Sequence, residues 1–311
     1  MPFISICIPA YQRVENLRRL LNSILTQEFQ DFEVIVTDDS PDETVKQLCK
    51  EFANSIPLHY FHNPIALGTP DNWNEGIAKA TGEWIKIMHD DDWFRSNSSL
   101  HVFADAARKN PGSFIFSAFA NIWQATGHET VVQLKSFRYS QLRKNPVSLV
   151  GKNVIGPPSV TLYPTSLTLE YDVTMKWLVD MDFYIHALTT LKPVYISNPL
   201  VNIGIHESQV TTSSKLNPEV EIPEHHLLLS KVGNKAFRNI IFFDAYWRLI
   251  RNLGIRSSSD FRAFMPDQNI PPIINSIIKF QNRFSQKLLQ IGIASKGLML
   301  VSYLSNYKLA K

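Results

Sequence analysis

The chain has 311 residues, of which 44% are hydrophobic and 19% charged, and its formal net charge at pH 7 is +3. This composition is typical of a folded globular protein and excludes an intrinsically disordered chain. The small net charge argues against nucleic-acid binding, which requires a clustered, strongly basic face. Two cysteines form neither a disulfide framework nor a four-cysteine zinc site, so we expect a reducing, cytosolic setting.

The N-terminus runs from Met1 directly into an apolar stretch, without the basic segment and cleavage site of a secretory signal. No apolar run reaches the roughly 18 residues that a membrane-spanning helix needs. We therefore expect a protein that is neither exported nor transmembrane.

Through the first hundred residues, apolar runs alternate with helix-like segments, the pattern of βαβ units around a mostly parallel sheet. Pro9 is expected to end the first strand. The predicted strands cover 3–8, 32–37, 59–62 and 83–88, and the predicted helices cover 15–25, 42–52, 72–79 and 99–109.

The rest of the chain gives a less even pattern. Strands are predicted at 113–122, 160–163 and 194–205, with a helix running through Ala187. The stretch 126–146 has no clear period. Beyond about residue 215 the apolar residues recur with helical spacing.

Polar residues follow three of the predicted strands: Pro9-Ala10-Tyr11, Asp38-Asp39-Ser40 and Asp90-Asp91-Asp92. Ligands of open α/β sheets bind beyond the carboxyl ends of the strands. The second cluster is equally typical of a turn that caps a helix. In the third, adjacent carboxylates repel one another and gain from a divalent cation, so the sequence predicts Mg²⁺ or Mn²⁺ shared with a diphosphate ligand.

Taken together, these motifs resemble the family 2 glycosyltransferases of GT-A fold, over about residues 1 to 210. The similarity rests on several landmarks that occur in the family's order. They are Ser5-Ile6-Cys7-Ile8-Pro9-Ala10-Tyr11 with Asn16, Phe32-Glu33-Val34-Ile35-Val36-Thr37-Asp38-Asp39-Ser40, Gly68 with Asn74-Glu75-Gly76, Gly82-Glu83-Trp84-Ile85, and Asp90-Asp91-Asp92-Trp93.

The resemblance implies an α/β, Rossmann-like mixed sheet, mostly parallel and flanked by helices, with a helical C-terminal extension. It implies one domain over 1–210, with a nucleotide-binding half, 1–98, and an acceptor half, 99–210, followed by a helical region, 211–311. It also implies a nucleotide-diphosphate sugar donor, a divalent cation, and inverting transfer of the sugar to an acceptor hydroxyl.

By the same resemblance, Pro9, Tyr11 and Asp39 line the base and ribose pocket, and Asp39 accepts a hydrogen bond from a uracil N–H. Asp90 reaches the ribose. UDP is therefore the expected nucleotide.

The metal ligands implied by the resemblance are Asp91, with Asp92 beside it, and His206 from a later loop. Two residues depart from the family pattern: His89 stands at a position that is often acidic, and Trp73 replaces an Arg that often precedes the Asn of the helix. Recognition of the base by that Arg does not carry over to this chain.

The family also has a catalytic carboxylate in an acidic pair before a downstream helix, and Asp180 with Asp182 fits that pattern. Asp180 is the expected general base, which takes the proton of the acceptor hydroxyl in a direct displacement. Without the family match, a helix cap is the better interpretation of Asp180. Asp182 and Ser159 are expected contacts of the donor or acceptor sugar, and Asp182 is the alternative base.

From residue 268 to the end there is no Asp or Glu, while six Lys and Arg residues occur. Two interpretations stay open: helices packed on the main domain, or an amphipathic surface that lies on anionic lipid. In the second, the acceptor is a lipid-linked oligosaccharide or lipopolysaccharide core on the cytoplasmic face of the membrane. The apolar residues that suggest it are Phe280, Phe284, Leu288, Leu289, Ile291 and Ile293.

The sequence thus predicts a cytoplasmic or peripherally attached, metal-dependent glycosyltransferase of bacterial surface polysaccharide or lipopolysaccharide synthesis. Its acceptor is a carbohydrate or a lipid-linked oligosaccharide. A non-catalytic nucleotide-sugar-binding protein of the same fold stays an alternative, because a fold does not establish activity. A nucleotidyltransferase is a second alternative, although no glycine-rich phosphate loop follows the first strand. A phosphoacceptor signalling domain would leave the second carboxylate cluster unexplained.

Overall fold

The computed structural model describes residues 1–206 and 216–309. Among them, two units can be distinguished: the first holds 1–143, 154–174 and 182–206, and the second holds 144–153, 175–181 and 216–309.

The first unit is built on a mixed sheet with the strand order β3-β2-β1-β4-β8-β6-β9-β5, and β7 pairs with β6. Strands β1, β2, β3 and β4 are parallel, and β8 runs antiparallel to β4. The strands are β1 (Ile4–Ala10), β2 (Phe32–Asp38), β3 (Leu58–His62), β4 (Trp84–Ile87), β5 (Trp93–Phe94), β6 (Ser113–Trp123), β7 (Glu129–Val132), β8 (Thr161–Pro164) and β9 (Lys192–Ile205).

The helices that connect these strands are amphipathic. In α1, for example, Leu17, Leu20, Leu21 and Ile24 are buried at helical spacing. The helices are α1 (Val14–Leu25), α2 (Thr44–Phe52), α3 (Asp71–Ala78), α4 (Ser99–Lys109), α5 (Ser136–Lys144) and α6 (Val179–Thr190). The predicted α/β class with a mostly parallel sheet is confirmed.

Pro9 does not end the first strand, as the sequence suggested, but lies inside β1, opposite Thr37 of β2. Its nitrogen points toward β4, because Cys7, two residues earlier, bonds to that side through its carbonyl. Strand β4 has already ended at Ile87, opposite Cys7. The missing N–H of Pro9 therefore costs no ladder hydrogen bond, and the strand continues to Ala10.

The stretch 126–146, which had no clear period, contains β7 and α5. Three of the four β7 residues are exposed, and Leu142 is the buried residue of α5. Neither element buries an apolar face of the kind that produces a recognisable period. Hydrophobic spacing therefore predicts neither β7 nor α5.

The second unit contains the remaining described helices: α7 (Pro218–Val232), α8 (Ile240–Asn252), α9 (Ser258–Arg262), α10 (Pro272–Gln281), α11 (Gln286–Gln290) and α12 (Gly292–Asn306). Aromatic side chains form much of its core: Phe237, Phe242, Tyr246 and Trp247 are each almost fully buried. The predicted helical C-terminal region is confirmed. Among the described residues, no helix has both the length and the low polarity needed to cross a bilayer.

Candidate active site

The carboxyl ends of β1, β2 and β4 meet at one edge of the sheet, because these strands are parallel neighbours. Hydrogen bonds join the ends of the first two: Asp39 N donates to Ala10 O (3.0 Å) and Gln12 N donates to Ser40 Oγ (2.8 Å). Just past β1, the Tyr11 ring is about half exposed. An exposed aromatic ring beside two polar loops is suited to stack on a planar ligand.

The two aspartates that follow β2 have different surroundings. Asp38 is fully buried, accepts from Tyr60 Oη (2.7 Å) through Oδ2 and from Ser40 N (2.9 Å) through Oδ1. These bonds fix the turn, which is the structural role that the sequence allowed for this pair.

Asp39 instead anchors the loop that leads to α3. Its Oδ1 accepts from Asn63 Nδ2 (2.8 Å) and Leu67 N (3.1 Å), and its Oδ2 accepts from Gly68 N (2.8 Å). A carboxylate has about four acceptor positions, so one remains for a further donor. The predicted bond from Asp39 to a uracil N–H stays a prediction.

All three aspartates of the triad after β4 are buried. Burial, together with the neighbouring Asp91 charge, raises the pKa of Asp90 to about 7. The same two causes raise the pKa of Asp92 well above its ordinary value. Carboxylates held together at this depth gain strongly from a cation.

Side-chain nitrogen atoms from other segments contact this triad. Arg13 Nη1 lies 3.1 Å from Asp91 Oδ2 and 3.6 Å from Asp90 Oδ1. His206 Nε2, just past β9, lies 2.7 Å from Asp91 Oδ2 in the acidic loop, residues 90–92. Arg19 donates to the Asp91 carbonyl oxygen at 3.1 Å.

His89, together with Asp91 and Asp92, forms a group of three side chains that could hold a metal ion. One ligand atom each from His89, Asp91 and Asp92 lie within 4.8 Å of one another. The Nε2 atom of His89 is buried and has no hydrogen-bond partner, and burial lowers the pKa of this imidazole to about 4. A neutral imidazole beside two carboxylates is a donor set that suits Mn²⁺, and the residues therefore fit a divalent cation.

In the sequence, His89 stands out only as a departure from the family pattern. A signal was nevertheless present, because a histidine substituted for an acid at the head of an acidic run keeps a metal-binding atom there.

Gly204 of β9 permits the close approach of that strand to the acidic loop. Its N–H donates to Asp92 Oδ1 at 3.1 Å. A Cβ atom at this position would overlap the Asp91 carbonyl oxygen and lie 2.7 Å from Gln124 Nε2. The acidic loop and β9 can keep this spacing only with glycine at position 204.

We therefore expect Gly204→Ala to displace the acidic loop and to lower the free energy of unfolding by about 1–3 kcal/mol, measured by urea denaturation. Gly297→Ala is the control for a Cβ added without a clash, because nothing lies within 4 Å of it. This variant should keep or raise stability, since Gly297 lies inside α12. A Gly204→Ala variant as stable as the wild type would show that the approach of β9 does not constrain the loop.

Ser159 lies beneath the acidic loop and is fully buried. Its hydroxyl accepts from His89 N (3.0 Å), and its carbonyl oxygen accepts from Lys86 Nζ. Burial lowers the pKa of Lys86 to about 7. The structure thus shows Ser159 as a support of the acidic loop, and its contact with a sugar stays a prediction.

Trp73, which replaces the Arg of the family pattern, is buried in α3. Its ring centroid lies 4.8 Å from that of His89 and 5.1 Å from that of Tyr171. Tyr171 stacks in turn on Phe183 at 4.0 Å. An aromatic cluster therefore packs beside His89, at the position where the family pattern often has an Arg side chain.

The downstream acids lie in the first turn of α6, whereas the family pattern suggested an acidic pair before the helix. Asp180 belongs to the second unit and Asp182 to the first. Burial raises the pKa of Asp180 to about 7. Asp182 is buried, and its Oδ1 lies 3.4 Å from His186 Nδ1.

The segment that leads into α6 is held by Glu224 of α7, a buried residue that no sequence motif marks. Its two carboxylate oxygens accept from the backbone N–H groups of Lys176 (2.8 Å), Trp177 (2.9 Å) and Leu178 (2.7 Å). Backbone amides that converge on one carboxylate form a strong, charge-assisted set. The start of α6, and with it Asp180, therefore depends on Glu224.

Glu224→Ala is expected to leave three backbone N–H groups without their acceptor and to destabilise the protein by about 3 kcal/mol or more. Thermal or urea unfolding measures this loss. Glu219→Ala, on the exposed side of the same helix, should change stability little. A loss no larger in Glu224→Ala than in this control would contradict the anchoring role.

Comparisons with known proteins agree with this geometry. The family model for glycosyl transferase family 2 matches residues 5–161. The chain is 32% identical over 313 residues to GalNAc(5)-diNAcBac-PP-undecaprenol beta-1,3-glucosyltransferase of Campylobacter jejuni. The match covers 94% of this chain and 99% of that relative.

Two solved structures share the fold. S. aureus TarS 1-349 in complex with UDP-GlcNAc has a TM-score of 0.62 at 15% identity, covering 100% of this chain and 93% of that one. The mannosyltransferase PcManGT of Pyrobaculum calidifontis, in complex with GDP-Man and Mn²⁺, has a TM-score of 0.56 at 13% identity, covering 98% and 86%. The chain belongs to glycosyl transferase family 2 and is a glycosyltransferase of GT-A fold.

Proposed function

We propose that this enzyme is a metal-dependent, inverting glycosyltransferase that moves a sugar from a UDP-sugar to an acceptor hydroxyl. The observation that carries the proposal is the buried group of His89, Asp91 and Asp92 at the carboxyl edge of the sheet. Buried anions of this kind are expected where a cation and a diphosphate bind together.

The nucleotide is proposed to bind beside this group, between the ends of β1 and β2. Tyr11 offers an exposed ring for stacking on the base, next to Pro9. Asp39 has acceptor capacity for a uracil N–H, and Asp90 is proposed for the ribose. UDP and UDP-GlcNAc complexes of TarS support uracil, whereas the GDP-Man complex of PcManGT makes guanine the alternative to test.

Asp91 and Asp92 are the proposed metal ligands, with His206 from the end of β9 and His89 from the loop itself. A bound Mn²⁺ or Mg²⁺ would supply charge stabilisation for the leaving diphosphate. Arg13 now lies against Asp91 and Asp90, and its guanidinium is placed to neutralise the same carboxylates. The Arg13 guanidinium and the carboxylates therefore lie close together where the diphosphate is proposed to bind.

Asp180 is the proposed general base, which takes the proton of the acceptor hydroxyl as that oxygen attacks the anomeric carbon. A single displacement from the side opposite the leaving diphosphate inverts the anomeric configuration. Its pKa of about 7 suits proton transfer at neutral pH. Asp182 and Ser159 are the proposed contacts of donor or acceptor sugar.

The acceptor is proposed to be a glycan carried on a lipid, in the synthesis of a bacterial surface polysaccharide or lipopolysaccharide. The Campylobacter jejuni relative is named for an undecaprenol-linked acceptor, and this chain matches almost its whole length. An acceptor of that kind requires work at a membrane surface. We therefore include peripheral contact with the anionic inner face of the cytoplasmic membrane.

Calorimetric titration with UDP, GDP and dTDP, each with and without Mn²⁺, tests the proposal. We expect UDP to bind most tightly and to lose affinity when Mn²⁺ is omitted. In Asp39→Asn, the same titration should show a smaller difference in affinity between UDP and GDP. Affinities that are the same for all three nucleotides, with or without Mn²⁺, would contradict the proposed site.

A further inference from the structure

The last helix, α12, is amphipathic in the direction opposite to that of an ordinary surface helix. Its buried residues are Ser295, Met299, Ser302 and Asn306. Its exposed residues include large apolar side chains: Ile293 is 90% exposed, Leu304 66%, Val301 53% and Leu300 45%. Leu300, Val301 and Leu304 lie seven, eight and eleven residues after Ile293. These spacings put all four side chains on one face of the helix.

Hydrogen bonds fix the helix in this orientation. Ser295 Oγ accepts from Trp247 Nε1 (3.0 Å) and from Arg251 Nη1 (3.0 Å) of α8. On the same buried face, Asn306 Nδ2 donates to Ser302 O (2.7 Å). Turning the apolar face inward would break the bonds to α8 and leave a buried tryptophan N–H without its acceptor. The outward apolar face is therefore part of the packing of this unit.

Positive charge lies along one side of this apolar face and beyond the C-terminal end of the helix. By the helical repeat of 3.6 residues, Lys296 lies along the margin next to Leu300, and Lys308 lies in the short 3-10 helix Tyr307–Leu309 that follows α12. Lys296 is 62% exposed at its side chain while its Nζ contacts Asp244 at 2.8 Å. No Asp or Glu occurs from residue 268 onward. The exposed cations in this part of the chain are Lys279, Arg283, Lys287, Lys296 and Lys308.

We infer that the outer face of α12, formed by Ile293, Leu300, Val301 and Leu304, is a docking surface for an anionic lipid bilayer. Apolar side chains of an interfacial helix enter the acyl boundary, while flanking lysines contact the anionic headgroups. The inference rests on the membrane contact within the proposed function, and it is independent of the donor and of the metal.

A second copy of the chain is the less suitable occupant of this surface. Two such faces packed on one another would bring the cations of both copies together. Asp244 of α8 contacts Lys296, but α10 to α12 contain no acidic residue. An anionic bilayer offers acyl chains to the apolar face and negative headgroups to the lysines.

Cosedimentation of the full-length protein with vesicles tests the inference, using phosphatidylcholine alone and an equal mixture with phosphatidylglycerol. We expect sedimentation with the anionic vesicles only. Leu300→Ser/Leu304→Ser should bind at least about tenfold more weakly, because two apolar side chains are lost from the lipid contact. The control Val131→Ser/Phe137→Ser changes two exposed apolar residues of the first unit and should bind as the wild type does.

Three further readouts separate the outcomes. Circular dichroism and the thermal midpoint establish that the α12 variant is folded. Its release of nucleotide with water as acceptor should equal that of the wild type, so a failure of the transferase chemistry is distinguishable from a failure of docking. Equal lipid binding by variant and wild type would overturn the inference. A wild type that is dimeric in sedimentation velocity, with a monomeric α12 variant, would also overturn it.

Discussion

Asp91→Asn is expected to lower cation-dependent release of nucleotide from the donor by about 10²–10³-fold, the loss typical of removing one electrostatic contributor to a developing charge. The substitution keeps the size of the side chain and removes the charge that Arg13 and His206 contact at 3.1 and 2.7 Å. Stability should change much less than activity, because the mutation also relieves repulsion among three buried carboxylates.

The matched control for this prediction is Asp105→Asn, which removes an aspartate charge from the exposed side of α4. It should leave both turnover and its dependence on Mn²⁺ unchanged. Full activity of Asp91→Asn, with the same metal dependence as the wild type, would be incompatible with the acidic loop as the metal site.

Asp180→Asn is expected to reduce sugar transfer to an acceptor by about 10²–10⁴-fold, the range contributed by a positioned general base. The affinity for the nucleotide should stay unchanged, since Asp180 is proposed to act on the acceptor and not on the donor. Titration calorimetry for binding and single-turnover transfer for chemistry separate the two quantities.

The pH dependence of transfer gives a second readout on Asp180. A general base works as the carboxylate, and burial raises the pKa of this group to about 7. Transfer should therefore increase as the pH rises from 6 to 8, through the deprotonation of Asp180, and the residual activity of Asp180→Asn should lose that rise. Loss of transfer in Asp182→Asn with a normal profile in Asp180→Asn would assign the base to Asp182 instead.

Much of the sheet and the location of the site could be predicted from the sequence. Strands such as β1 and β2 are short apolar runs whose ends are marked by polar residues, and parallel strands bring those ends to one edge. The order of landmarks from Pro9 to Asp92 then pointed to one family. These features depend on local pattern, which a single sequence contains.

The groups that complete the site could not be predicted in this way, because they depend on contacts between distant segments. Arg13 reaches Asp91 across 78 residues of sequence, and Glu224 reaches Lys176 across 48. Nothing in the local pattern around Arg13 or Glu224 indicates these partners. His206, which reaches Asp91 across 115 residues, was expected near the acidic residues from the family resemblance alone. Gly204 was likewise visible only as part of a strand, although its lack of a side chain lets β9 approach the loop.

The C-terminal region shows a different limit. Helical spacing predicted the helices there, but the rule that apolar faces point inward gives the wrong orientation for α12. Ser295 faces inward because it accepts hydrogen bonds from Trp247 and Arg251 of α8, and hydrophobic periodicity carries no information on such bonds. Of the six apolar residues suggested for lipid contact, Leu289 is fully buried, whereas Ile293 is 90% exposed.

Release of nucleotide from a panel of UDP-, GDP- and dTDP-sugars, with and without Mn²⁺ or Mg²⁺, tests the central claim most directly. Water can replace the acceptor, so the assay needs no knowledge of the natural substrate. We expect release of UDP from one UDP-sugar, dependent on the cation and lost in Asp91→Asn. Release that is equal with and without cation, or that comes only from GDP- or dTDP-sugars, would contradict a metal-dependent UDP-sugar transferase.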